Sequence, residues 1–172
     1  SSDLGSGNSA SALAYSTRPV TVAGENNSSK SLSEMLAEKN ESISNIAAGR
    51  DHTLAVSNQG NLYSWGANTY GQLGVNSRDN RYFPVQVKGY NGGGYLTDVI
   101  LIGAGAEHSL AVRTDGSVWS WGRNNKGQLG QSTNGVNNTY KDMQTPDRVL
   151  KGEYDTGNAD RKSTRLNSSH SK

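Results

Sequence analysis

The sequence predicts an all-β chain, a partial β-propeller of about two and a half four-stranded antiparallel blades. Two observations of composition and pattern point there. Glycine supplies 21 of 172 residues and proline only 3, which suits a chain of many tight turns that need φ > 0. Between the turns run short segments of alternating apolar and polar residues, the signature of half-buried strands. The third observation is repetition. AGRDHTLAV (48–56) aligns with AGAEHSLAV (104–112), and GNLYSWGANTYGQLG (60–74) with GSVWSWGRNNKGQLG (116–130), both at an offset of 56. Identities include Gly49/Gly105, His52/His108, Gly60/Gly116, Trp65/Trp121, Asn68/Asn124 and Gly71/Gly127.

Each unit reads as four short strands. Ile43–Ala48 and Val99–Ala104 come first, and His52–Val56 and His108–Val112 second. The turns NQG (58–60) and TDG (114–116) lead into Leu62–Trp65 and Val118–Trp121. Pro84–Val87 and Pro146–Val149 come last, where proline suits a first residue or a sheet edge. A third, partial copy precedes these: YSTRPVTVAG (15–24) matches NRYFPVQVKG (80–89), and Leu4–Gly5 matches Leu73–Gly74 and Leu129–Gly130. Ser31–Glu38 carries an S-x-x-E capping box and predicts one or two helical turns. A single sheet of this size cannot cover both its faces, so the units must stack on neighbours.

The expected organisation runs as follows. Residues 1–22 are the back half of a preceding repeat and 23–42 an inter-blade insertion. Residues 43–87 and 99–149 are repeat units joined by the connection 88–98, and 150–159 start the next connection. The end, DRKSTRLNSSHSK (160–172), differs from everything upstream. Its first eleven residues match the translation of a common sequencing adaptor, so it is read as a scar and set aside. The formal charge of +2 includes that segment; without it 13 basic and 14 acidic residues remain. The basic balance then vanishes, and with it the electrostatic case for nucleic acid. The chain is expected to be a piece of a longer, bacterial protein whose remaining blades complete the stack.

The pattern I-x-x-I-A-A-G-x-x-H-T-L-A-V-x-x-x-G-x-L-Y-S-W-G-x-N-x-x-G-Q-L-G resembles the regulator of chromosome condensation repeat family. It runs well over 43–87 and 99–149 and in part over 4–22. The resemblance implies a propeller of about seven blades in the parent. It also implies several functions: guanine-nucleotide exchange on a small GTPase, chromatin binding, or inhibition of β-lactamases. Fold alone does not choose among them. The expected function is a non-catalytic module mediating protein–protein interaction. Exchange-factor activity and a structural surface or adhesion role stand as alternatives.

Chemistry-bearing motifs are few. The loops GANTYGQ (66–72) and GRNNKGQ (122–128) approach a phosphate loop, but Gln stands where its lysine belongs and no helix pattern follows. GAGAEH (103–108) lacks a glycine of the dinucleotide fingerprint and runs into a strand. With no cysteine, thiol nucleophiles and cysteine–zinc sites are ruled out. No enzyme activity, catalytic residue, cofactor or metal site is expected. His52 and His108 read as polar anchors at strand starts, and Trp65, Trp121 and Trp119 as inter-blade packing. No apolar run reaches the length of a membrane helix. A secreted or cell-surface location is placed slightly ahead of a cytoplasmic one.

In an antiparallel meander, alternate turns share one end of the sheet. The first-to-second and third-to-fourth connections therefore gather Arg50, Asp51 and Tyr70 with Ala106, Glu107, Arg123 and Lys126. These positions vary between the units while the flanking Gly, His, Trp and Asn repeat. They are the candidate partner-binding loops, and their chemistry suits a protein partner. The opposite end carries the NQG and TDG turns with the 23–42 and 88–98 segments.

Overall fold

A computed structural model describes residues 21–22, 30–131 and 140–149. Its strands are β1 Ile43–Ala48, β2 His52–Ser57, β3 Leu62–Gly66, β4 Arg81–Gln86, β5 Val99–Ala104, β6 His108–Arg113, β7 Val118–Gly122 and β8 Met143–Arg148. They form two antiparallel four-stranded meanders, β1-β2-β3-β4 and β5-β6-β7-β8. Sequential pairing at matched registers, such as Leu54 opposite Ser64 and Leu110 opposite Ser120, reflects the repeat. The partial copy before residue 21 and the segment 160–172 lie outside the described residues.

The sheets stack face to face. Leu54, Val56, Leu62 and Val87 of the first pack against Ala111 and Trp121 of the second, with Leu96 and Val99 closing the cluster. The opposite face of the first sheet, Ala55, Tyr63 and Trp65, is covered by Leu32 and Leu36 of a short helix, α1 (Leu32–Glu38). The expected capping box forms in full, between Ser31 and Glu34. Trp121 therefore packs between sheets, as expected, whereas the described neighbours of Trp65 include a helix. β3 is buried along its whole length because both its faces are covered. In β6, Ser109 and Ala111 are buried and Leu110 and Val112 only half-buried, because one face is covered.

The fourth strands differ from expectation. They begin three residues earlier, at Arg81 and Met143, which places Pro84 and Pro146 inside the strand. Both are edge strands, where a missing N–H costs no ladder bond. Val87 N–H donates to Leu62 O, so alternation puts Pro84 on the outward row. The periodicity signal was weak here because RYFPVQ does not alternate.

Candidate functional site

The repeated motif builds a rigid loop after the third strand. Ser64 Oγ donates to Leu73 O at 2.8 Å and Ser120 Oγ to Leu129 O at 2.6 Å. Asn68 Oδ1 accepts from Leu73 N at 3.0 Å, and Asn124 Oδ1 from Leu129 N at 3.2 Å. Gln72 and Gln128 each accept at Oε1 from the backbone two residues back, Tyr70 and Lys126, at 2.9 Å. The S-W-G-x-N-x-x-G-Q-L-G pattern is thus a hydrogen-bonded latch. Its variable positions, Tyr70 and Lys126, are held by fixed ones.

Two glycines let this loop meet the turn between the first and second strands. At Gly66 (φ +108°) a Cβ would lie 2.4 Å from Asp51 O, a position only glycine can fill. The N–H of Ala67 then donates to Asp51 O at 2.7 Å, and that of Arg123 to Glu107 O at 2.9 Å. Gly49 is needed for space: a Cβ there would lie 2.2 Å from the ring of His52.

His52 anchors the joint between the sheets. Ser109 Oγ donates to Gln72 O at 2.8 Å, so it accepts from His52 Nε2 at 2.9 Å. Nδ1 is left buried without a partner among the described residues. Burial, with the neighbouring His108 adding to it, pushes His52 down to about 4. The ring is neutral, as a structural anchor requires.

Five of the seven candidate residues meet at this end through their side chains. Glu107, only 8% exposed, is ion-paired with Arg50 from the first sheet and Arg123 from the second. Hydrogen bonding from Arg123, supported by both guanidinium charges, holds its carboxyl below the usual range. Arg50 Nε also donates to Asp51 at 2.9 Å. The Arg123 guanidinium lies 4.5 Å from the centre of the Tyr70 ring. Ala106 contributes only its carbonyl, which accepts from Arg50 N at 3.2 Å. Lys126 is exposed and has no ion pair among the described residues. The sequence places Glu107 among the candidate partner-binding loop residues. Its role as the shared anion between two arginines depends on contacts 57 and 16 residues apart. Beside it, Arg78 pairs with Asp142 across the joint at 3.7 Å, a contact the sequence did not signal. Among the described residues no group of three His, Asp or Glu could hold a metal ion.

Models of the regulator of chromosome condensation (RCC1) repeat match residues 59–112 and 115–156, and again 43–72 and 99–128. The chain belongs to this repeat family. The match over 59–112 takes in β3 and β4 of one sheet and β5 and β6 of the next, so this sequence repeat covalently ties the two sheets. Among curated relatives, the ultraviolet-B receptor UVR8 of Arabidopsis thaliana is 40% identical over 55% of this chain. The human E3 ubiquitin-protein ligase HERC2 is 36% identical over 52% of it. These matches span 20% and 2% of the relatives' own lengths. Among solved structures, yeast RCC1 (Prp20) bound to Kap60 superposes with a TM-score of 0.54 at 24% identity, over 70% of this chain and 26% of that one. That likeness supports the partial β-propeller fold.

Proposed function

We propose that this chain is a non-catalytic propeller module whose partner is a protein, seated on the end of the sheets that carries Arg50, Asp51, Tyr70, Glu107 and Arg123. One observation carries the reading. Glu107 locks arginines from two sheets, and Tyr70 is stacked beneath one of them. Arginine and tyrosine held in fixed rotamers bind with little ordering cost, which is what interface anchors need. The latch beneath them keeps the loop rigid while its surface residues vary between repeats. The relatives are consistent with a module. HERC2 is a ligase, but the match takes in only 2% of it, so its catalysis is not carried over. The yeast relative is described in complex with a protein, Kap60.

The test is quantitative affinity capture with the chain and its Arg50→Ala, Tyr70→Ala and Arg123→Ala variants. Real anchors weaken the captured partner by more than about fivefold each. If all three are silent while shortening 23–42 abolishes capture, the partner sits at the opposite end.

A further inference from the structure

We propose a second binding site, for an acidic peptide segment, in a groove along the edge strand β4. The groove has a volume of about 290 Å³ and is lined by Val75, Arg81, Phe83, Val85, Gln86, Lys88 and Tyr95. These residues come from the loop after β3, from β4 itself and from the connection beyond it, which an isolated bridge between Lys88 and Tyr95 folds back. It is separate from the Glu107 cluster, which lies at the turns.

Three features of the groove specify the ligand. First, it presents two cations and no carboxylate among its described lining residues. Neither Arg81 nor Lys88 has an ion pair among the described residues. Lys88 Nζ rests instead 4.5 Å from the centre of the Tyr95 ring. Second, Arg81 Nε is buried with no acceptor among the described residues. That atom is sealed from the groove, so an incoming carboxylate pairs with the other nitrogens of the same guanidinium, whose positive charge has no carboxylate partner among the described residues. Third, Phe83, Val75 and Val85 give the cations an apolar floor. A ligand must therefore carry acid and apolar groups side by side, which a peptide does and a nucleic-acid backbone does not.

The manner of entry follows from Pro84. It occupies the outward row of β4 and removes a donor from the free edge, which blunts pairing with an added strand. The partner enters by its side chains. The volume is at the lower end of small-molecule pockets, enough for one or two side chains. Tyr95, which lines the groove and is 50% exposed, offers an aromatic surface to the rest of the segment.

The experiment is fluorescence anisotropy of the full chain with a fluorescein-labelled Asp-Leu-Ser repeat peptide. We expect saturable binding that weakens as salt rises and falls about tenfold in Arg81→Gln and about fivefold in Lys88→Gln. Tyr95→Ser, at an exposed position, provides a third reading should Arg81→Gln perturb folding, which circular dichroism would reveal. Equal binding of the Asn-Leu-Ser peptide would overturn the proposal, as would equal binding by both charge variants. Displacement of the peptide by oligo(dT) at matched charge would reassign the groove to phosphate. Arg50→Ala and Arg123→Ala should leave this binding unchanged.

Discussion

Trp121 donates its indole N–H to the backbone carbonyl of Gln72 at 2.9 Å, across the joint between the two sheets. The same carbonyl accepts from Ser109 Oγ, so one oxygen fastens a strand and a ring of the second sheet. The ring is fully buried, and Gly74 makes room for it: a Cβ there would lie 2.8 Å from Nε1. Trp121→Ala should destabilise the chain by about 3–5 kcal/mol, as large aromatic truncations in cores do. Trp121→Phe keeps most of the area and leaves the carbonyl one donor short, so about 1–2 kcal/mol is expected. Urea unfolding followed by circular dichroism measures both.

His52 sets an acid limit. Its folded value of about 4 lies below the ordinary value of 6.5, so the neutral ring favours the fold. This contribution is complete above about pH 6.5 and is lost as pH falls toward 4, amounting to about 3 kcal/mol. Urea midpoints should decline over that window in the natural chain. In His52→Gln the same decline should be smaller, with a lower starting stability.

Gly49→Ala should cost about 1–3 kcal/mol, because the added methyl meets the His52 ring. The same Cβ also meets the Gly105 carbonyl oxygen at 2.6 Å, so His52→Ala should relieve only the part of the cost that the ring causes. A double-mutant cycle reads this as coupling between the two changes. Additive costs would mean the strain is in the backbone instead.

Equivalent positions should differ in cost. Leu62 is fully buried against the second sheet, whereas its repeat partner Val118 is 38% exposed on a face without a described neighbour. Leu62→Ala should cost about 2–5 kcal/mol and Val118→Ala under about 1 kcal/mol. Comparable costs would show that the open face of the second sheet is covered in solution.

Glu107→Gln should lower the melting temperature at low salt and reduce its salt dependence. It removes the shared anion that holds Arg50 and Arg123 together. Thermal melts at two ionic strengths check this.

Much of the structure was legible because local chemistry specified it. The offset of 56 between the repeats fixed which residues play equivalent parts, and the glycines, the capping box at Ser31 and the alternation in HTLAV placed β1 to β3, β5 to β7 and α1. Meander topology alone put Arg50, Tyr70, Glu107 and Arg123 at one end. The start of β4 was missed because Arg81–Phe83 gives no alternation; pairing with β3 decides it.

Only tertiary structure decided which copy of a residue is buried. Leu62 and Val118 share a repeat position, but sheet stacking covers one and leaves the other partly open. The pairing of Glu107 with two arginines and the unmatched donor of Arg81 were likewise invisible in the sequence. The physical reason is range. Turn geometry, capping and strand alternation act over a few residues, so sequence specifies them. Burial, desolvation and ion pairing depend on what the stacked sheets bring close.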